Sequence, residues 1–145
     1  MTLRHSIAAL AAVCLLAGCG SGPVRRITPS QVSIQELSVQ PGGVWKLTLR
    51  IQNYSTIPMT YASLHGTLTI AGADVGTIDV RTDLDIPGNS PDVLDTTLHA
   101  SAALPSGDID YKIEGTITTS EPKEEFKFNR ASRLSPTPGL ANTWR

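Results

Sequence analysis

The sequence predicts an all-β domain built from two antiparallel sheets packed face to face. Apolar residues recur at every second position from Gln31 onward, the period of strands with one buried and one solvated face. Clusters of Gly, Pro, Asn and Asp interrupt the alternation at sandwich-like spacing, and no segment sustains a 3.6-residue period. Twelve Gly and ten Pro among 145 residues, with only 17% charged side chains, also argue against a helical bundle or coiled coil. The length fits one domain. A net charge of −1 without a basic stripe argues against nucleic-acid binding.

The first residues stand apart from this pattern. Arg4 precedes the uncharged apolar run Ile7 to Leu16, which is too short for a membrane-spanning helix of about 20 residues but fits the core of an export signal. The run leads into Leu16-Ala17-Gly18-Cys19, which resembles the lipobox of bacterial lipoproteins. The resemblance implies cleavage between Gly18 and Cys19, a diacylglyceryl group on the Cys19 sulfur and an acyl chain such as palmitate on the new amino group. Residues 1–18 are then a signal peptide. Such acyl chains anchor a protein firmly, at about 0.8 kcal/mol per buried methylene. The following Gly20, where an Asp would favour inner-membrane retention, implies the outer membrane, with the domain facing the periplasm.

Removing residues 1–18 takes away Cys14, and lipid would occupy Cys19, so the mature chain keeps no free thiol. Stability must then come from the apolar core without disulfides. Residues 19–30 are the lipidated cysteine and a tether rich in Gly, Ser and Pro. Ten extended tether residues reach at most about 33 Å, which keeps the domain close to the membrane. Arg25 and Arg26 read as solvated linker charges within reach of anionic headgroups.

The domain spans residues 31–134. Its first strand covers Ile34 to Val39, before the turn Pro41-Gly42-Gly43. In Val44 to Tyr54, Trp45, Leu47, Leu49 and Ile51 share one face, opposite Lys46, Thr48, Arg50 and Gln52. Met59 to Ile70 places Leu64, Gly66, Leu68 and Ile70 together, and Ala71-Gly72 begins the next turn. Gly76, Ile78, Val80, Thr82, Leu84 and Ile86 point inward, with Asp79, Asp83 and Asp85 outward. Leu94 to Ala100, Ile109 to Ile117 and a strand holding Phe126 and Phe128 complete seven strands. Seven antiparallel strands in about a hundred residues give an immunoglobulin- or fibronectin III-like β-sandwich, without the antibody cysteine pair. Residues 135–145 hold two prolines and no alternation, and read as a flexible C-terminal tail with Trp144 either loose or docked. The triplets Gly66-Thr67-Leu68, Gly76-Thr77-Ile78 and Gly115-Thr116-Ile117 are too unevenly spaced for a solenoid and reflect similar strands.

The stretch Leu47 to Asp85 contains an ordered set of features. A strand ends in Ile51-Gln52-Asn53-Tyr54-Ser55, Ile57-Pro58-Met59 follows, and a second strand reaches Ile70-Ala71-Gly72 before Val75-Gly76. This resembles the late embryogenesis abundant type 2 family, also called the water stress and hypersensitive response domain. Asn53, Pro58 and Gly72 match the family's motif Asn, downstream Pro and hairpin Gly, and Leu84 to Ser90 resembles its next loop. Tyr54 and Ser55 stand where the family has Pro and Asn. The similarity covers residues 32–132 and implies a β-sandwich linked to water stress, in which these three residues are structural. It implies no catalytic residue. Asn53 suits a corner because its side chain bonds readily to nearby backbone.

Other polar residues do not assemble into a reactive set. Asp79, Asp83, Asp85, Asp92 and Asp95 are oxygen ligands of the kind Ca²⁺ takes, but they lack calcium-loop spacing and read as a solvated face. His65 and His99 sit on separate strands with no second ligand at metal-binding spacing. Ser63, Ser90, Ser101 and Ser106 lack a nucleophile-elbow context. The expectation is no enzyme, no metal, no cofactor and no small-molecule substrate. The mixed charges Lys112, Glu114, Glu124, Glu125, Lys127 and Arg130 read as protection of sheet edges, with partner capture by strand addition as the other use of an edge. The expected partners are the membrane, through the N-terminal lipid, and client or envelope proteins. Two functions remain open: protection of proteins or membrane during water loss, or binding of one specific envelope protein.

Overall fold

A computed structural model describes residues 22–145. The expected signal peptide 1–18, the expected cleavage point at Gly18 and the expected acyl acceptor Cys19 lie outside the described residues. The strands are β1 (Gln31–Gln40), β2 (Val44–Gln52), β3 (Met59–Ile70), β4 (Ala73–Ile86), β5 (Pro91–His99), β6 (Ile109–Glu121), β7 (Lys123–Leu134) and β8 (Thr143–Trp144). They form two four-stranded sheets of order β5-β2-β1-β8 and β4-β3-β6-β7, with antiparallel pairing throughout.

The alternation read from the sequence places the core. Trp45, Leu47, Leu49 and Ile51 of β2 are buried against Leu64, Leu68, Ile113, Ile117 and Phe128 of the second sheet. Two irregularities widen that core. In β1 the register shifts between Ile34 and Glu36, so the inward set passes from Val32 and Ile34 to Leu37. An extra residue that moves later side chains to the other face is the signature of a β-bulge. In β3 the shift between Tyr61 and Ser63 adds Met59 and Tyr61 to the inner face already holding Leu64 and Leu68.

Two of the three Gly-Thr triplets meet. Gly66 and Gly115 are cross-strand partners, and Gly115 also faces Phe128. A Cβ on Gly115 would collide with the His65 carbonyl oxygen, so only glycine permits this backbone approach. At the β3–β4 hairpin, Ala71 and Gly72 have φ of 50° and 82°, the doubly positive pair of a two-residue type I′ turn.

The structure corrects three expectations. There are eight strands, because the expected flexible tail at 135–145 returns to the first sheet as β8. Trp144 and Thr143 pair with Leu37 and Ser38, the Trp144 indole donates to the Gly107 carbonyl at 3.1 Å, and Arg145 and Ser135 exchange backbone bonds of 2.9 and 2.7 Å. Burying a large aromatic side chain offsets the ordering of a short segment, which a count of alternating residues does not register. The tether is likewise folded down from Val24 to Ser30, as described below. Finally, Lys112 and Glu114 form an ion pair of 2.8 Å on β6, an interior strand, so they guard no edge.

Candidate functional site: the Asn53 corner and its docked arm

Where β2 leaves its sheet, the side chain of Asn53 is fully buried. Its amide nitrogen donates to the carbonyls of Ile57 (2.9 Å), Ile86 (3.1 Å) and Pro87 (3.1 Å). Its oxygen accepts the Ser55 N–H at 2.9 Å, an Asx turn that reverses the chain. The backbone adds two bonds of 2.9 Å, Asn53 N–H to Ser90 and Asn89 N–H to Ser55. One side chain thus ties the β2–β3 loop to the β4–β5 loop and leaves no part of its amide unsatisfied.

Gly88 makes this closeness possible. A Cβ there would meet the Thr56 carbonyl carbon and oxygen at 2.6 Å. Neighbouring Asn89 has φ of 55°, a left-handed conformation that Asn tolerates better than most residues.

The arm 24–30 closes the corner from outside. Ser55 Oγ accepts the Thr28 N–H at 2.9 Å and donates to the Thr28 carbonyl at 3.2 Å. The Thr56 N–H donates to the Arg26 carbonyl at 2.9 Å, while Thr56 Oγ1 accepts the Arg26 N–H at 2.8 Å and donates to the Val24 carbonyl at 2.7 Å. Buried Ser30 shares a 2.6 Å hydrogen bond with the phenol of Tyr61. Burial pushes the Tyr61 phenol above its ordinary pKa, and the Ser30 bond offsets part of that rise.

Asn53 and Pro58 therefore share the corner, with Pro58 exposed, while Gly72 lies at the β3–β4 hairpin. Ser55, a departure from the family motif, proves to be the residue that grips the arm. The sequence did not single out Gly88 or Thr56, because their partners lie about 30 residues away.

The acidic residues are divided between strands and sheets. Asp79 faces His65 at 3.7 Å and Asp85 accepts from Thr60 at 2.6 Å, both on the second sheet. Asp95 accepts from Thr48 at 2.7 Å and pairs with Lys46 at 3.7 Å on the first. Among the described residues no group of three or more His, Cys, Asp or Glu converges. Ser63 is bonded to Thr118 at 2.6 Å and Ser90 to Gly88 at 3.3 Å. Hydrogen bonds to Arg133 hold the exposed Asp110 carboxyl below its ordinary pKa. The hollows of the surface include a dish of about 530 Å³ over Gly66 and Gly115, one of about 660 Å³ between Ala62 and Glu124, and a polar cleft of about 350 Å³ with Arg50, Arg130, Gln31 and Tyr54 on its walls.

No protein-family model and no curated protein matches the sequence. Solved structures do match the fold. The chain is similar to the solution structure of AT1g01470 from Arabidopsis thaliana, with a TM-score of 0.57 and 10% identity, over 86% of this chain and 91% of that one. It is also similar to the solution structure of a putative late embryogenesis abundant (LEA) protein, At2g46140.1, with a TM-score of 0.50 and 11% identity, over 92% and 86%. The chain therefore has an LEA-like fold, an all-β pair of antiparallel sheets shared over nearly its whole described length.

Proposed function

We propose that the chain is a non-catalytic, lipid-anchored envelope protein of the late embryogenesis abundant type 2 kind, protective during desiccation or other water stress. The observation that carries this reading is the fold shared with the putative LEA protein. The Asn53 corner agrees with it, since the motif Asn is a buried side chain that clamps backbone. The strand order β5-β2-β1 opposite β4-β3-β6-β7 supports the fibronectin III-like form of the sandwich. The lipobox-like Leu16 to Cys19 supports acylation at Cys19, and Gly20 supports the outer membrane.

A fragile unrelated enzyme, dried and rehydrated with residues 20–145, tests protection. Activity retained well above that with an inert sandwich protein at equal mass is the expected result, and equality with that control overturns it. Labelled palmitate tests the anchor: it enters the full chain and not Cys19→Ala, and labelling that survives in the variant overturns acylation there.

A second reading, capture of one envelope protein along a sheet edge, is favoured by β1. On β1, strand β8 pairs with Leu37 and Ser38 and not with Gln31, Val32 or Ser33, whose stretch of the strand lines the Arg50–Arg130 cleft. Crosslinking in cells distinguishes the two: one saturable partner at this edge supports capture, whereas many unrelated clients support protection.

A further inference from the structure

We propose that the arm end of the sandwich is a lipid-docking face, on which Arg25, Arg26, Val24, Ile27 and Tyr54 seat the domain against a bilayer carrying anionic headgroups. The inference deepens the membrane-anchored reading and takes its bilayer from it. Five large apolar side chains are exposed among the described residues: Val24 (71%), Ile27 (38%), Tyr54 (49%), Val93 (47%) and Leu140 (52%). Three of the five belong to the arm and the corner it grips. The remainder are Val93 on β5 and Leu140 in the C-terminal segment; single exposed apolar residues are ordinary.

The charges at this end suit the same occupant. The ion pairs among the described residues use Lys46, His65, Lys112, Arg133 and Arg145, so Arg25 and Arg26, like Arg50, Arg81, Lys123, Lys127 and Arg130, are in no ion pair and can attract an external anion. Tyrosine combines an apolar ring with a polar tip, which suits the headgroup layer. The bonds from Ser55 and Thr56 to Val24, Arg26 and Thr28 hold the arm before any lipid arrives. Docking then avoids the entropy cost of ordering a free linker. Cys19 precedes Val24, the first residue of the arm, by five residues, so lipid on that cysteine lies within about 17 Å of the arm along an extended chain. The arm is thus an orienting clamp, which fixes the end of the domain that faces the bilayer.

The test uses residues 20–145, without the cysteine; this chain keeps the whole apolar core, which lies between Val32 and Trp144. It is sedimented with vesicles of equimolar phosphatidylglycerol and phosphatidylcholine, and with vesicles of phosphatidylcholine alone. Binding is expected to the anionic vesicles only and to weaken with salt. Each arginine near an anionic surface is worth about fivefold in partitioning, so Arg25→Gln with Arg26→Gln lowers binding about 25-fold. Tyr54→Ala lowers it further, with no change in salt dependence. Arg81→Gln with Lys127→Gln removes the same charge from the outer face of the second sheet and leaves binding within about twofold.

Absence of binding, equal binding to neutral vesicles, or an equal loss in the Arg81/Lys127 variant overturns the proposal. Displacement by inorganic phosphate at matched ionic strength also overturns it, by assigning the arginines to a soluble anion. Because this chain lacks Cys19, failure of acylation in the palmitate experiment and failure of docking here are separate results.

Discussion

The Ser55 hydroxyl occupies both backbone groups of Thr28, accepting its N–H at 2.9 Å and donating to its carbonyl at 3.2 Å. A side chain in the β2–β3 loop thereby acts as a strand partner for an arm that has no strand of its own. Together with Thr56, it converts residues 24–28 from a spacer into part of the domain.

Trypsin reports that conversion directly. Cleavage after Arg25 or Arg26 needs an extended, free backbone, whereas Arg26 is held through both its N–H and its carbonyl. At about 1 kcal/mol per hydrogen bond, Ser55→Ala or Thr56→Ala should speed cleavage about fivefold or more. Mapping the cut by mass spectrometry checks this, and unchanged rates would show that the arm is not held by these bonds.

Asn53 should be the most costly polar residue to remove. Asn53→Ala strands the carbonyls of Ile57, Ile86 and Pro87 and the N–H of Ser55, and should destabilise the domain by about 3 kcal/mol. Asn53→Asp should be no better, since a carboxylate cannot donate to three carbonyl oxygens. Urea unfolding of the two variants gives the comparison.

Gly88→Ala places a methyl group 2.6 Å from the Thr56 carbonyl, and should cost about 2 kcal/mol by forcing the two loops apart. Gly107 has nothing within 4 Å of the corresponding position, so Gly107→Ala should stay within about 0.5 kcal/mol of the parent. Equal costs in the two variants would deny the close packing of the corner.

The C-terminal segment contributes through its aromatic residue. Trp144 is 6% exposed, and Trp144→Ala should destabilise by about 3 kcal/mol. Arg145→Ala, which removes a largely exposed ion pair with Glu36, should cost less than about 1 kcal/mol. Thermal unfolding of both variants separates packing from charge.

Alkaline titration examines the Ser30–Tyr61 bond. The folded phenol is raised above its unfolded pKa, so the folded state holds its proton longer. Stability from this group is present below about pH 10, the unfolded value, and is lost as pH rises through the folded one. Absorbance near the tyrosinate band should show a late component absent from Tyr61→Phe. A titration unchanged by that substitution would contradict the assignment.

The two sheets were legible because strand alternation is local: Trp45, Leu47, Leu49 and Ile51 announce an inner face without knowledge of what covers it. Ala71-Gly72 announced its hairpin for the same reason, since a two-residue turn is decided by backbone preferences at two positions. The position of Asn53 at a chain reversal was equally local. The three carbonyls it holds were not, because Ile86 and Pro87 are more than 30 residues away.

What tertiary structure alone decided are the features whose partners are distant. The arm grips Ser55 and Thr56 from 27 to 32 residues away, and Trp144 reaches Gly107 across 37. In both places the segment itself lacks alternation, so no local pattern favours a fold. Each is ordered by hydrogen bonds or burial offered by a surface that exists only once the sheets have formed. The sequence by itself determined a β-sandwich with a turn-forming Asn, and the assembled sheets determined which loose ends the domain would hold.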